Sequence, residues 1–311
     1  MDVQHLPVLV AETLEALEPR RGGLFVDATV GLGGHAEAIL AAAPEARLLG
    51  IDRDPEALDR AARRLAEFGD RVRLVQGHFH RLAELLGELG IPAAGQAAGV
   101  LADLGVSSLQ LETPRRGFSF RWDGPLDMRM GPGELTAADI VNHFSEVELE
   151  RIFRDYGEER QARRIARAIV AVRGEEAIET TGGLRSLIDR AKGGGREREG
   201  RVDPATRVFQ ALRIAVNQEL AGLESSIDQA VRLLESDGRL VIISYHSLED
   251  RIVKNSFRDR ARGEADPVTG RPRSETQLIA VMTKKPVRPS AAEVAWNPRS
   301  RSARLRAARR L

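Results

Sequence analysis

The chain of 311 residues contains no cysteine. That removes disulfides, thiolate zinc sites, iron–sulfur clusters and cysteine nucleophiles together. No run of about 18 apolar residues occurs, so no transmembrane helix and no membrane partner are expected. The opening stretch, MDVQHLPVLVAETLEAL, has no basic segment followed by an apolar one, and a secretory signal is not expected. A cytoplasmic location is the default reading. The histidines do not make a metal site either. His78 and His80 lie two apart, and no third ligand follows at a recognisable spacing.

Hydrophobic residues make up 42% and charged residues 30% of the chain. That composition suits a globular protein with a sizeable core and excludes disorder as the main state. The length fits one large domain, or a domain of about 200 residues with a smaller one attached. Net charge is only +1, yet it is unevenly placed. From Arg251 to Leu311, 16 Lys and Arg face 5 Asp and Glu, a balance of +11 that leaves −10 for the rest. A basic end points to an anionic partner, nucleic acid first. A tail that merely improves solubility would look the same.

The first hundred residues alternate strand and helix. Leu24–Thr29, Arg47–Asp52, Val72–Gln76 and Gly99–Leu104 read as buried strands. Asp54 with Pro55 behind it signals a helix start. Such alternation argues for a parallel sheet covered on both faces. It breaks at Thr113, after which no strand is expected until Arg239. One helical run is expected from Glu146 to Val172 and another from about Pro204, with Phe209, Leu212, Val216, Leu220 and Leu223 on one side. Gly193–Gly200 reads as a glycine- and charge-rich loop. Arg239–Tyr245 and Gln277–Thr283 restore strand character, and Ser247 with Asp250 suggests a capping box. Ala303, Leu305 and Ala307 alternate with arginines as a half-buried final strand would. The simplest architecture is an α/β domain, residues 1–112 and 218–311, interrupted by a helical insert, 113–217.

The loop DATVGLGGH (Asp27–His35) joins the first strand to the first helix after it. Its glycines allow positive φ and close backbone approach to a ligand. Asp52 ends the second strand, where Rossmann-type folds place an acid for the two ribose hydroxyls of a nucleoside. The dinucleotide fingerprint is incomplete, because alanine fills the third glycine slot, which the fingerprint tolerates. Asp27 is more informative. An acid there would repel a pyrophosphate and welcome an ammonium and a sulfonium, which favours S-adenosylmethionine. No G-K-[ST] follows, so a P-loop is excluded. Phe79, after the third strand, suits contact with an adenine or equally a core. Asp103 closes the fourth strand, with Ser107, Ser108 and Gln110 following. A nicotinamide dehydrogenase, a methyltransferase for small molecules or proteins, and a non-enzymatic RNA-binding module remain as alternatives.

The strings DATVGLGGH, IDRD, LADLGVSS, RRGFSF with DGPLDMRM, YGEER with ARRIARAIV, PATRVFQALRIAVNQEL, SYHSLEDRIVK and NPRSRSARLR occur in this order. The chain thereby resembles the bacterial small-subunit ribosomal RNA (cytosine-N4)-methyltransferases of the H type, the MraW family, from about His5 to Arg306. The resemblance implies a Rossmann-like class I methyltransferase sheet with an inserted helical domain. It implies S-adenosylmethionine as cofactor and one cytidine N4 in the decoding region of 16S rRNA as target, within the small ribosomal subunit. A homodimer is left open. Carried onto this chain, the cofactor positions fall on Gly33, Gly34, His35, Asp52, Phe79, Asp103 and Gln110. One departure is Asp203, where the family often has histidine before the proline.

For the chemistry, Asp103 is the candidate acceptor of the N4 proton, and His246 after the fifth strand is the second candidate. Arg160, Arg163, Arg164 and Arg167 recur at helical spacing and suit phosphate; a solvated face with Glu159 paired to Arg163 is the plainer reading. Phe118, Phe120 and Trp122 near Arg115, Arg116 and Arg121 suit either base stacking or packing.

Overall fold

The computed structural model describes residues 7–194, 203–267 and 269–311. Most of the Gly193–Gly200 loop and the first six residues lie outside them. Two compact units emerge, Met1–Gly105 with Ala221–Leu311, and Val106–Leu220. The divisions fall a few residues outside 113–217 because Val106 and Leu111 pack into the core of the helical unit.

The first unit starts with α1 (Val10–Leu17) and then alternates β1 (Gly23–Asp27), α2 (Gly34–Ala42), β2 (Ala46–Asp52), α3 (Pro55–Arg64), β3 (Val72–Gln76), α4 (Leu82–Glu88) and β4 (Ala97–Asp103). The second unit holds α5 (Ser108–Glu112), α6 (Ala137–His143), α7 (Glu146–Asp155), α8 (Ala162–Arg173), α9 (Thr181–Ala191) and α10 (Thr206–Asn217). The chain then returns to the sheet with α11 (Leu223–Leu233), β5 (Leu234–Ser244), α12 (Ser247–Arg262), β6 (Ile279–Val281), α13 (Ala291–Trp296) and β7 (Arg304–Arg310).

The seven strands lie in the order β3-β2-β1-β4-β5-β7-β6. β1 to β5 run parallel, and β7 is antiparallel to both β5 and β6. This is a Rossmann-like sheet. Strand order reverses between β1 and β4, so the ligand crevice is expected outside the carboxyl ends there. The period of two explains the layers. Val26, Leu49, Val100 and Ile242 face one core, whereas Phe25, Leu48, Leu101 and Ile243 face the other. Both faces are buried, which is why these strands read as continuous apolar runs. The helical unit has a core of its own, with Leu149, Phe153, Ile165, Leu184 and Leu212 at its centre.

The structure corrects several expected elements. The run Glu146–Val172 is two helices. The break falls at Gly157, where only glycine fits, because a Cβ there would stand 2.6 Å from the Arg207 carbonyl oxygen and 2.7 Å from that of Phe153. Glu158 follows with φ 47°. The helix from Pro204 does not reach Leu223. It stops at Asn217, Gln218 turns left-handed at φ 51°, and α11 starts after Gly222 at φ 75°. The cap of α12 is His246 rather than Ser247: its Nδ1 accepts from the Glu249 N–H at 3.4 Å. Asp54 caps α3 as expected, accepting from the Glu56 N–H at 3.1 Å.

Candidate active site at the carboxyl edge of the sheet

The turn after β1 is pinned to both neighbouring strands. The Ala28 N–H donates to Leu101 on β4, and the Val30 N–H donates to Ile51 on β2, each at 2.8 Å. Gly33 then caps α2 at φ 81°, a conformation that favours glycine. Gly34 lies against the Pro7 ring, 3.0 Å from where a Cβ would sit. The predicted glycine pair is therefore needed at both positions, for different reasons.

Three carboxyl groups surround this turn. Asp52, at the end of β2, accepts from the Gly31 N–H at 2.8 Å and from the Asp54 N–H at 2.9 Å. Burial raises its pKa, and those two N–H donors oppose the rise. Asp27 is 1% exposed and accepts from the Thr29 N–H. Burial pushes it up to about 7, with His35 pulling the other way. Asp103, at the end of β4, is held through its backbone N–H, which donates to Thr29 Oγ1 at 2.7 Å.

His35 joins the acids. Its Nε2 lies 3.6 Å from Asp103 Oδ2, at only 6% exposure. Neither His35 Nε2 nor Asp103 Oδ1 has a hydrogen-bond partner among the described residues. Buried polar atoms left in that state cost free energy unless a ligand takes them up. Tyr245, just beyond β5, faces Asp103. Burial first, then the Asp103 charge and hydrogen bond, hold the phenol well above its ordinary range. Gly105 lets the backbone lie flat on that ring, since a Cβ would meet Tyr245 Cδ2 at 2.8 Å.

Other predicted residues are placed differently. Phe79 is 5% exposed and packs with Leu82 and Leu85 in the core. Gln110 belongs to the helical unit, where it completes a capping box: its Oε1 accepts from the Ser107 N–H, and its own N–H donates to Ser107 Oγ. His246 Nε2 sits 3.2 Å from Glu249 Oε1, and Glu249 Oε2 accepts from the Tyr245 N–H. That arrangement orders the start of α12.

Comparisons with known proteins give the family. A family model described as the MraW methylase family matches residues 2–311. The chain belongs to the MraW methylase family. A Ribosomal RNA small subunit methyltransferase H from Geotalea uraniireducens is 54% identical over 315 residues, covering 100% of this chain and 99% of its own. One of the same description from Syntrophotalea carbinolica is 51% identical, covering 99% and 98%. A solved rRNA methylase from Streptococcus thermophilus matches at a TM-score of 0.41 and 11% identity, covering 97% of this chain and 93% of its own.

In this MraW-family chain, sequence reasoning missed Thr29 and Tyr245. Thr29 lies inside the quoted loop, and Tyr245 directly precedes the singled-out His246. What pointed past them was the search for acids and imidazoles. A hydroxyl that holds an acid in place announces itself only once the strands are side by side.

Proposed function

We propose that this chain transfers the methyl group of S-adenosylmethionine to the exocyclic N4 of one cytidine in the decoding region of 16S rRNA, in the small ribosomal subunit. The observation that carries this reading is the ring of Asp27, His35, Asp52 and Asp103 around a glycine turn at the point where strand order reverses. The residues fit the cofactor. Asp52 is a preorganised carboxylate for a ribose diol. Asp27 and Asp103 supply negative charge for an ammonium and a sulfonium. The unpartnered His35 Nε2 and Asp103 Oδ1 are polar atoms that await a ligand.

When bound, the cofactor supplies an electrophilic methyl carbon on a positively charged sulfur. The chain supplies alignment and a proton acceptor. Cytosine N4 is a weak nucleophile because its lone pair is delocalised into the ring. Asp103 Oδ1 would accept a hydrogen bond from N4–H, favour a pyramidal nitrogen and take the proton as the N–C bond forms and the methyl–sulfur bond breaks, the sulfur leaving as a neutral thioether. Thr29 fixes the Asp103 backbone, and Tyr245 lies beside its carboxylate. His246 caps α12 through Nδ1, and its Nε2 lies against Glu249 without a hydrogen bond, whereas Asp103 stands in the ring of acids at the glycine turn and is the acceptor in this reading. A structured base must be turned out of its stack to arrive there.

The helical unit supports an RNA substrate. Arg160, Arg163, Arg164 and Arg167 are all exposed. Glu159 does not pair with Arg163. It is buried and bonded to Lys192 Nζ at 2.6 Å; Arg167 pairs with Glu146 at 3.7 Å, and Arg160, Arg163 and Arg164 keep the face positive. Phe118 and Phe120 are packing residues, Phe120 edge-on to Phe209 at 4.8 Å. Trp122 is 48% exposed under Arg121.

Two measurements test the proposal. Calorimetry should show heat with S-adenosylmethionine and none with NAD, and Asp52→Ala should abolish it. Mass spectrometry of 16S rRNA from cells lacking the protein should show one decoding-region cytidine losing a methyl group. An unchanged nucleotide profile would overturn the cytidine assignment.

A further inference from the structure

Building on the RNA substrate proposed above, we infer that the surface around α13 is a platform for single-stranded RNA, on which Trp296 stacks an unpaired base while Lys284, Lys285, Arg288 and Arg301 hold phosphates.

The charge pattern comes first. Residues 284–301 hold one acid, Glu293. It is buried, and its Oε1 accepts from the Leu9 N–H at 2.8 Å. Its charge is thus turned inward, and the cations are not. Lys284, Lys285, Arg288 and Arg301 are exposed, and no hydrogen bond or ion pair to them is present among the described residues. Exposed arginines elsewhere in the chain commonly have an acid: Arg81 has Glu84, and Arg258 has Asp259. Four such cations, with the only carboxylate of the segment withdrawn, make a surface for a polyanion.

Trp296 adds a second, independent observation. It is 55% exposed at the end of α13. Arg121 lies over Trp122, but no arginine covers Trp296 among the described residues. An uncovered indole among free cations is the combination that binds single strands, with rings stacking on bases and cations tracking the backbone. An acidic peptide would use the cations and gain little from the ring.

The backbone fixes the platform rigidly and beside the site. Val287 and Leu305 exchange two hydrogen bonds at 2.9 Å, which anchors the lysines and Arg288 to β7. The turn Pro298–Ser302, which carries Arg301, packs on α13. β7 then begins with Arg304 opposite Ser244, at the carboxyl end of β5. That is the same sheet edge that presents Asp52 and Asp103. The Glu293 bond also ties α13 to the segment whose Pro7 rests on Gly34. RNA lying across α13 is therefore led to the glycine turn.

The chain has two tryptophans, so Trp122→Phe leaves Trp296 as the sole indole. Titrating that protein with a short single-stranded oligocytidylate should quench its emission. Trp296→Ala in the otherwise unaltered chain, read by filter binding, should weaken the oligonucleotide about tenfold, and Trp296→Phe should restore most of it. Lys284→Ala with Lys285→Ala should flatten the plot of log affinity against log salt by about 0.7 for each phosphate no longer neutralised. Equal affinity of the Trp296→Ala protein, emission unmoved while RNA binds, or equal quenching by polyglutamate would each overturn the platform. If ribosomal RNA is still methylated in that event, the methyltransferase reading stands and only the platform fails. If no RNA binds and none is methylated, the reading beneath it fails as well.

Discussion

Asp27 is an acid kept from water beside a binding turn, and two predictions follow from its pKa near 7. The unfolded chain loses this proton near 3.8, whereas the native chain keeps it to about 7. Between those values the native state binds more protons, so stability falls as pH rises through the window. At about 1.4 kcal/mol per pH unit the fall amounts to at most about 4 kcal/mol. Asp27→Asn should flatten that decline in urea unfolding between about pH 4 and 7. The same proton must leave before the group attracts a cation. Affinity for S-adenosylmethionine, relative to S-adenosylhomocysteine, which keeps the ammonium and lacks the sulfonium, should therefore rise with pH through about 7 if Asp27 faces the sulfonium. A ratio independent of pH in calorimetry would remove Asp27 from sulfonium binding. In the proposed mechanism Asp103 takes the proton. Asp103→Ala should cost about 10² to 10⁴ in methyl incorporation, and unchanged turnover would exclude it.

At the level of elements, legibility followed local cause. The Asp54–Pro55 start of α3 was readable because a cap is an interaction between near neighbours. β1 to β4 were readable because both faces of the sheet are covered, and continuous apolar runs result. The sequence pattern extended β1 to Thr29, whereas pairing ends at Asp27, where the carboxyl turns to the Thr29 N–H. The α7–α8 break was not readable, because it depends on the distant carbonyl of Arg207 meeting Gly157. α13 was missed since six residues leave too little periodicity, and the inward turn of Glu293 depends on Leu9, 284 positions away. In the site, Asp52 and Asp103 were legible from strand ends, whereas the burial of Phe79 and the capping role of Gln110 are outcomes of packing. The break itself can be tested. Gly157→Ala forces a Cβ against two backbone oxygens that cannot rotate away. A loss of about 1–3 kcal/mol is expected, seen as a lower melting temperature.

At the scale of the molecule, the near-zero net charge conceals a division of labour between acids at the glycine turn and cations elsewhere. Converting Arg160, Arg163 and Arg164 to Ala should weaken ribosomal RNA binding and flatten its salt dependence by about 2 in log–log slope. Cofactor binding should be untouched; an equal loss of both would mean a misfolded unit. The sheet also has a history written into its order. β4 pairs with β5 along Gly99–Asp103, yet the whole of Val106–Leu220, with a separate core, is synthesised between the two strands. A growing polypeptide must therefore hold β4 as a bare edge while the helices are still being made. The strand and the phenol that flank Asp103 on that side, β5 and Tyr245, are made only after the whole helical unit, so this wall of the candidate site is the last to be laid down.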